Sequence, residues 1–402
     1  MKKHDIIDLN MCAGCGLCES LFSGAKMEYN NEGYLRPNFP ETINHEDLQK
    51  LKDVCPGYLL DYSNVEQSTK KSHPLWGNYN SVSIGYSLNK RVRNKASSGG
   101  IISTLLIYLL DKNIIDEVIH IGVSENGIDN KIYTSSNSEQ VLEHSGSRYS
   151  PSAPLINITD YLKQDKRFAF VGKPCDVAAL MMLSKKDKRV NEKIIYKFSF
   201  FCAGVPSIKG TYEIFNKFKI NKDDVKEFRY RGDGWPGYTR ILTKENKEYK
   251  MSYNESWGSI LNKHLQPRCK LCFDGIGEFA DIVCGDGWIE SKNGYPDFSE
   301  ADGRSLIITR NKQGDRLLDS LLKDGYLSLE NDFDINVLEK IQPYQAKRRK
   351  QLVSRIFALK STFRHAPSYP TKKLIEASKT EKRYVLVRGY LGTLYRIAKG
   401  RI

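Results

Sequence analysis

The 402-residue sequence predicts a mixed α/β fold in three parts, namely a small cysteine-rich unit, an α/β body and a helical basic tail. Three observations support this prediction. Apolar strand patterns alternate with helical patterns through the middle of the chain, a C-x2-C-x2-C run stands near its start, and basic residues concentrate at its end. With 40% hydrophobic and 27% charged residues, the composition is that of a globular protein, which disfavours disorder as the dominant state.

The amino-terminal unit is expected to span residues 1–65, because its apolar content is low and cysteines must substitute for a hydrophobic core. A polar stretch at 66–80 has the composition of a linker. No apolar signal-peptide region follows Met1. The longest apolar stretch, Ile101–Leu110, is far shorter than the roughly 20 residues that cross a bilayer. These observations predict a cytoplasmic protein.

Four cysteines of the amino-terminal unit have the spacing of an iron-sulfur site. Cys12, Cys15 and Cys18 form the C-x2-C-x2-C run, and Cys55 is followed directly by Pro56. A run of this kind with a distant Cys-Pro is typical of ferredoxins, in which the last ligand comes from elsewhere in the chain. Structural zinc is the alternative, but zinc sites usually combine two separated C-x2-C knuckles. The spacing therefore favours a ferredoxin-like domain with a 4Fe-4S cluster.

The body is expected to span residues 81–343 and to be an α/β layer structure. Helical patterns follow Ser98, Pro174 and Pro206, and they alternate with strand patterns. In such folds, ligand sites gather at the carboxyl ends of the strands. The strand patterns are Val82–Tyr86, Glu117–Val123, Arg167–Val171 and Ile194–Phe201.

Four cysteines of the body are candidates for a second cluster, although their spacing alone is a weak signal. Cys269 and Cys272 form a C-x2-C pair that needs distant partners. Cys175 begins a helical pattern after one strand, and Cys202 ends another strand. A redox or nucleophilic role for Cys175 and an inert buried Cys202 are the alternatives, and the spacing leaves them open. Cys284 lies in an apolar strand pattern and is expected to be a core thiol.

Two polar loops are candidates for holding a flavin. Small residues before an apolar helix let backbone amides approach a phosphate, and the helix dipole favours its charge, although a plain helix cap explains the same residues. The second loop offers a cation and an aromatic ring, which suit a flavin and its phosphate but are equally common at protein surfaces. The candidate contacts are Ser97, Ser98, Gly99, Gly100, Ser147, Arg148, Tyr149 and Ser150.

Further anion contacts are expected at Lys173 and Arg231, in addition to Arg148. The segment 232–237 matches G-x-G-x-x-G, but Pro236 and a strand pattern follow where a dinucleotide-binding fingerprint needs a helix. A Rossmann site is therefore rejected there.

In this order the motifs resemble the coenzyme F420 hydrogenase/dehydrogenase beta-subunit family over about residues 8 to 330. The set is C-x2-C-G-x-C, C-P, S-S-G-G, G-S-R-Y-S-P, G-K-P-C, F-C-A-G-V-P-S, Y-R-G-D-G-W-P-G, C-K-L-C and E-F-A-D-I-V-C-G-D. The resemblance implies an FAD-containing iron-sulfur oxidoreductase, with flavin contacts around 97–100 and 147–150. It also implies that the second 4Fe-4S cluster is bound by Cys175, Cys202, Cys269 and Cys272.

The resemblance implies a protein that couples one-electron transfer by iron-sulfur clusters to two-electron transfer by a flavin. A ferredoxin-type carrier or coenzyme F420 would exchange electrons with a small organic substrate through two 4Fe-4S clusters and FAD, in either direction. For some bacterial members the resemblance extends to cell-surface polysaccharide biosynthesis. Two alternatives stay open: a zinc-stapled, non-enzymatic scaffold protein, and an electron-transfer subunit without a substrate of its own.

The net charge of +14 is located in the tail, residues 344–402, which contain sixteen basic and two acidic residues. Apolar residues such as Leu352 and Ile356 recur at helical spacing between the cations, and a second such stretch covers Tyr384–Ile402. Basic amphipathic helices of this kind favour an anionic membrane or an acidic protein as partner, with a solvated helix as the alternative. Nucleic acid is not expected, because no recognition motif accompanies the tail.

Overall fold

The protein is described by a computed structural model that covers residues 11–40, 45–66, 69–291, 296–330 and 333–400. It has the mixed α/β fold that the sequence predicts, with a helical carboxyl-terminal part. Its strands are β1 (Lys26–Tyr29), β2 (Leu35–Asn38), β3 (Lys71–His73), β4 (Gly77–Tyr79), β5 (Ser81–Ser87), β6 (Glu117–Val123), β7 (Asn130–Ser135), β8 (Phe168–Val171), β9 (Ile194–Phe200), β10 (Val225–Arg229), β11 (Thr239–Thr243), β12 (Glu248–Met251), β13 (Ile282–Asp286), β14 (Ser305–Thr309) and β15 (Leu327–Glu330).

The helices lie between and after these strands, and three of them begin where the sequence predicts, after Ser98, at Pro174 and after Pro206. The α-helices are α1 (Leu17–Leu21), α2 (His45–Val54), α3 (Ser63–Glu66), α4 (Lys90–Lys95), α5 (Ile101–Asp111), α6 (Ser138–Glu143), α7 (Ile158–Tyr161), α8 (Pro174–Ser184), α9 (Arg189–Lys193), α10 (Ile208–Lys217), α11 (Pro267–Lys270), α12 (Lys312–Lys323), α13 (Leu338–Ile341), α14 (Pro343–Ser361), α15 (Thr371–Ser378) and α16 (Arg383–Ala398).

The largest sheet has eight strands in the order β15-β5-β14-β13-β9-β8-β6-β7. Its four inner neighbours β13, β9, β8 and β6 are parallel, and the remaining strands pair in antiparallel fashion. The strands predicted in the body are β5, β6, β8 and β9 of this sheet. Because the parallel strands point the same way, their carboxyl ends lie along one edge of the sheet.

Helices cover both faces of this sheet. In β8, Phe168 and Phe170 pack in one apolar cluster and Ala169 packs in another, since successive side chains of a strand point to opposite faces. The first cluster includes residues of α8 and α14, and the second includes residues of α5 and α12. The sheet is therefore the middle layer of three.

The amino-terminal cysteine-rich segment packs against the body instead of standing apart. The backbone N–H of Leu155 donates a hydrogen bond to the carbonyl of Cys15 at 3.0 Å. Gly16 has φ +87°, and a Cβ there would lie 2.6 Å from the side chain of Ile156. Met11 and Leu17 belong to the same apolar cluster as α8. This close approach positions the amino-terminal cysteines beside the main sheet.

The structure differs from the sequence interpretation in the first part of the basic tail. Helix α14 is embedded in the body, and its Arg349 forms an ion pair with Glu278 at 2.7 Å, in which neither side chain is more than 3% exposed. Lys373 of α15 reaches the same carboxylate at 3.5 Å. Burying opposite charges together offsets the desolvation penalty that each would incur alone. These cations therefore fasten the tail to the body and do not form a free basic surface.

Candidate functional site

A cavity of about 500 Å³ opens at the carboxyl ends of the parallel strands. Its volume lies within the range of about 300–1,000 Å³ that is usual for small-molecule and cofactor sites. Residues following β8 and β9 and the end of β13 contribute to its wall. The candidate contacts that line it are Ser97, Ser98, Gly100, Ser147, Arg148, Tyr149, Ser150, Lys173 and Arg231.

The two candidate flavin loops meet in the wall of this cavity. The backbone N–H of Ser147 donates to the hydroxyl of Ser97 at 2.5 Å, which joins the loops directly. Gly100 has φ +77° and caps α5 without a side-chain hydrogen bond, so the first amides of this helix remain available to an anion. Gly99 is absent from the cavity wall, and its N–H donates to Ser305 Oγ instead.

The three candidate anion contacts are already engaged with the protein. The Arg148 guanidinium donates to Asn130 Oδ1 at 2.8 Å and to the carbonyl of Ile128 at 2.5 Å. The Lys173 ammonium lies 2.8 Å from the Asp176 carboxylate. These interactions make Arg148 and Lys173 structural cations at the cavity wall, with little capacity left for a ligand.

Arg231 is held in the same way by a carboxylate. It forms a two-point ion pair with Asp286 at 2.7 and 2.8 Å, and its guanidinium lies over the rings of Tyr253 and Trp288. The indole N–H of Trp235, from the 232–237 loop, donates to Asp286 as well. This loop is followed by β11, not by a helix, which agrees with the rejection of a Rossmann site there. Arg231 is thus part of an aromatic wall of the cavity.

Cys12, Cys15, Cys18 and Cys55, named here the amino-terminal cysteine set, line one small cavity. The rest of its wall is mainly apolar and includes Phe39 and Leu51. Backbone amides point at the sulfurs, since the N–H of Gly14 lies 3.3 Å from Cys12 Sγ and that of Gly57 lies 3.4 Å from Cys55 Sγ. Amides aimed at sulfur are what a bound iron-sulfur cluster requires of its surroundings.

Burial keeps the thiols of Cys15, Cys18 and Cys55 protonated in the free protein. Burial, followed by the proximity of Cys12, raises the pKa of Cys55 to about 12. Burial is also the main cause of the raised pKa of Cys15 and of Cys18. A group that converts these thiols to ligands must therefore displace their protons, as metal binding does.

Cys175, Cys202, Cys269 and Cys272, named here the body cysteine set, are collected from three parts of the fold. Cys175 lies in the first turn of α8, and Cys202 follows β9, which pairs with β8 in parallel. The N–H of Val205 lies 3.3 Å from Cys269 Sγ, so the loop after β9 touches the C-x2-C segment. Burial and then the proximity of Cys269 raise the pKa of Cys202 to about 12.

The body cysteine set adjoins the large cavity through Cys202, which is part of its wall. Within the described ranges, no group of three or more His, Cys, Asp and Glu side chains is arranged to hold a single metal ion. The amino-terminal cysteine set instead lines one cavity, as the ligands of a cluster of several iron atoms do. In the body cysteine set, Cys202 lies close enough to Cys175, Cys269 and Cys272 for their charges to interact. Cys284 is buried, as the sequence predicts, and its thiol also borders the large cavity.

Two buried arginines lie beside the cysteines and were missed by sequence reasoning. Arg268 is 2% exposed, and it donates to the carbonyl of Pro56 at 2.8 Å while preceding Cys269 in the chain. Its Nε has no hydrogen-bond partner in the part of the chain that the structure describes. Arg348 of α14 donates to the carbonyl of Cys202 at 2.9 Å.

The charge of Arg268 has a consequence for what the cysteines bind. Burial would lower its pKa, but the neighbouring ionisable groups, Cys272 first among them, hold it well above the usual range. This effect requires negative charge on the neighbouring sulfurs, which protonated thiols do not carry. Thiolates bound to an iron-sulfur cluster provide the missing negative charge, and the residues present therefore fit such a group.

The far end of the large cavity contains further side chains that no sequence motif indicated. The rings of His120 and His144 meet edge to face at 5.3 Å, and His120 Nε2 lies 2.7 Å from Ser135 Oγ. Burial, together with His144, lowers the pKa of His120 to about 3, so this imidazole is neutral. Trp257 lies in a π-helical segment, a conformation frequent at functional sites. Strand alternation and helix-breaking patterns do not distinguish such residues from core.

Comparison with known proteins identifies two matching family models. The amino-terminal model of the coenzyme F420 hydrogenase/dehydrogenase beta subunit matches residues 82–159, and the carboxyl-terminal model matches residues 165–334. Together these matches span more than half of the 402 residues, and they agree with the resemblance that the motifs indicate.

Individual relatives are distant in sequence. The beta subunit of the F420-dependent formate dehydrogenase of Methanocaldococcus jannaschii is 25% identical over 269 residues, covering 65% of each chain. The beta subunit of the coenzyme F420 hydrogenase of Methanococcus voltae is 24% identical over 292 residues, covering 70% of this chain and 96% of that one. A chain of the F420-reducing NiFe hydrogenase complex from Methanosarcina barkeri matches in fold with a TM-score of 0.56 and 21% identity, covering 75% of this chain and 100% of that one.

Proposed function

The chain belongs to the coenzyme F420 hydrogenase/dehydrogenase beta-subunit family, and from this premise we propose that it is an iron-sulfur flavoprotein oxidoreductase. Relatives named as hydrogenase and formate dehydrogenase subunits make it an electron-transfer oxidoreductase. The observation that best supports the finer proposal is the contact between the body cysteine set and the large cavity through Cys202. A one-electron centre and a two-electron centre have to be neighbours to exchange electrons.

We assign one 4Fe-4S cluster to each cysteine set and FAD to the large cavity. When bound, the clusters transfer single electrons and the flavin transfers a hydride, so the two together couple a one-electron carrier to a two-electron substrate. The amides of Gly14, Gly57 and Val205 donate towards the sulfurs. Arg268 and Arg348 balance the thiolate charge from within the protein.

The cavity wall provides what a flavin needs without a strong ligand cation. The amino terminus of α5 offers free amides and its dipole to a phosphate. Arg231, held by Asp286, and the rings of Tyr253 and Trp288 form a flat aromatic wall suited to a planar ring system. We propose that Ser97, Ser98, Gly100 and Ser147–Ser150 border this ligand, with Lys173 fixed by Asp176 behind them.

The proposed partners are an electron carrier and a small organic substrate. Relatives are named for coenzyme F420, which supports F420 as the carrier, with a ferredoxin as the other candidate. We propose cell-surface polysaccharide synthesis as the process that uses the product, on the family resemblance alone. Attachment to an anionic surface through the carboxyl-terminal residues is the remaining part of the proposal. The hypothesis of a subunit without its own substrate is favoured by relatives that are subunits of larger enzymes.

Anaerobic purification of the full chain tests the cofactor assignment. We expect a brown protein with about eight iron atoms and one flavin per chain. Replacing Cys202 with alanine is expected to lower the iron content by about half and to reduce flavin retention, because Cys202 belongs to both sites. Cys284→Ala is the matched control, since Cys284 is buried and borders the same cavity but is assigned to neither cluster.

The contrary outcomes are equally specific. Colourless protein that contains two zinc ions and no flavin would support the scaffold hypothesis and overturn the proposal. Steady turnover of a small organic substrate by the isolated, loaded chain would exclude the subunit without its own substrate. Equal iron loss in the Cys202→Ala and Cys284→Ala variants would contradict the assignment of the body cysteine set.

A further inference from the structure

The last described helix, α16, presents an apolar stripe to its surroundings. Tyr384, Val387, Leu391 and Tyr395 recur at intervals of three or four residues, and each side chain is more than half exposed. The opposite face of the helix packs on α14, where Thr393 is fully buried. Large apolar side chains are ordinarily scattered singly on a protein surface, so a stripe of four along one helix indicates an interaction site.

Phe357 of α14 extends this stripe beyond α16. Its ring lies 5.6 Å from that of Tyr390, and its side chain is 63% exposed. The hydroxyl of Tyr390 is 3.0 Å from Ser361 Oγ, which ties α16 to the end of α14. The aromatic surface therefore belongs to a packed pair of helices and not to a helix free in solvent.

The charged side chains along α16 have one sign. Residues 382–402 contain six basic and no acidic side chains. Arg388 is exposed and adjacent to Val387, and the Lys399 ammonium lies 6.0 Å from the ring centre of Tyr395. These cations differ from Arg348 and Arg349 of α14, which are buried and bound to protein oxygens. The stripe is thus bordered by positive charge that no acidic side chain of this segment neutralises.

We propose that this surface, formed by the exposed stripe of α16 with Phe357, binds peripherally to an anionic lipid bilayer. Apolar side chains of such a helix enter the boundary between headgroups and acyl chains, and lysine and arginine meet anionic headgroups. Tyrosines at both ends of the stripe suit this boundary, because the ring is apolar and the hydroxyl is polar. No helix in the described part of the chain is long and apolar enough to cross a membrane.

This inference makes specific the surface attachment included in the proposed function, and its test does not use the redox centres. Purified full-length protein is sedimented with vesicles of pure phosphatidylcholine and with vesicles that also contain phosphatidylglycerol. Binding is expected to the anionic vesicles and to fall with added salt. Binding without a change in iron or flavin content separates this proposal from the cofactor assignment.

Two variants distinguish the apolar and the charged contributions. Leu391→Ser is expected to weaken vesicle binding about tenfold, because a leucine is no longer buried in lipid. Arg388→Gln is expected to weaken binding to anionic vesicles about fivefold. Leu88→Ser is the control, since Leu88 is 50% exposed on the body, comparable to Leu391 at 57%. Unchanged circular dichroism of each variant shows that the fold is retained.

Three results would overturn the proposal. One is equal binding of wild type and the Leu391→Ser variant to anionic vesicles. Another is equal binding to neutral and anionic vesicles. The third is a dimer in sedimentation velocity that Leu391→Ser dissociates while neither protein binds vesicles, which would assign the stripe to a second copy of the chain.

Discussion

The two cysteine sets have the same number of thiols but are built in different ways. In the amino-terminal cysteine set, three members come from one short segment, residues 12–18, and the cavity they share is lined by residues between positions 12 and 58. In the body cysteine set, the members come from α8, from the end of β9 and from the segment around α11. The first set depends on local spacing, whereas the second depends on the pairing of β8 with β9.

This difference explains where each cysteine set lies relative to the large cavity. A site held by one loop can be added to or removed from a fold without changing the sheet. A site at the ends of neighbouring parallel strands is fixed in position relative to the cavity at the same edge. The body cysteine set is therefore the one that borders the proposed flavin cavity, and Arg268 links it to the other set.

The largest effect is expected from removing Arg268, the cation that lies close to both cysteine sets. Arg268→Met is expected to lower iron content at both sets, since thiolates of each lose the same compensating charge, and to leave less than half of the wild-type iron. The measurement is iron per chain together with the electron paramagnetic resonance signal of the reduced protein.

Arg355→Met is the matched control for this variant. Arg355 donates to the carbonyl of Lys270 beside the body cysteine set, but its pKa is governed by burial and then by Arg396, with no cysteine contributing. Iron lost from the body cysteine set alone in the Arg268→Met protein would show that the arginine serves one site only.

A second prediction compares the loops that carry the sulfurs. Gly204 has φ +133°, and a Cβ there would lie 2.9 Å from Leu265 and 3.1 Å from Cys269 Cβ. Gly14 has φ +69°, with Leu35 O at 3.2 Å. Both Gly204→Ala and Gly14→Ala are expected to reduce the free energy of unfolding by about 1–3 kcal/mol because the backbone is strained.

Flavin retention then separates the two glycine variants. It is expected to fall for Gly204→Ala, whose loop borders the cavity, and to stay at the wild-type level for Gly14→Ala. Chemical denaturation and flavin absorbance are the measurements. A loss of flavin in the Gly14→Ala protein would mean that the amino-terminal cysteine set also supports the cavity.

The smallest expected effect is a pH dependence of the free energy of unfolding of the iron-free protein. Burial, with Cys12 and Cys269 respectively, raises the pKa of Cys55 and of Cys202 to about 12 from 9.0. The folded state thus holds more protons than the unfolded chain between these values. The contribution of these thiols to the free energy of unfolding is fully present below about pH 9. It falls as the pH rises towards 12, by at most about 1.4 kcal/mol per pH unit for each thiol.

Urea unfolding of chelated, anaerobic protein at about pH 8 and about pH 10 measures this slope. Cys55→Ala and Cys202→Ala are each expected to reduce it by a similar amount, because the two thiols have similar pKa values despite their different settings. A reduction in one variant alone would show that the sets differ in burial when iron is absent.

The sheet was predictable because its strands are apolar runs separated by helical patterns. β6 has the predicted bounds, and β8 and β9 differ from prediction by one residue at one end. The strand order was not predictable, since β5 pairs with β14 and β15, which come from a distant part of the chain. Long-range pairing depends on tertiary packing that local alternation does not encode.

The residues of the candidate site also divide into those that local sequence indicates and those that only tertiary packing brings together. Cys12, Cys15 and Cys18 were identified by spacing, whereas Cys175 and Cys202 needed the family resemblance, because strand pairing brings them near Cys269. Arg268 directly precedes the Cys-Lys-Leu-Cys segment, and this position could have indicated it. No sequence signal indicated Arg348, because a run of basic residues is typical of a solvated helix face, and only the packing of α14 shows that this one is buried.

The buried carboxylate of Glu278 has a consequence for the order in which the chain folds during synthesis. Its charge is balanced by Arg349 and Lys373, which follow it by 71 and 95 residues. Until these two cations are synthesised, the carboxylate of Glu278 lacks the two partners that contribute most to balancing its charge. We therefore expect the body to complete its folding only after α14 and α15 have emerged from the ribosome.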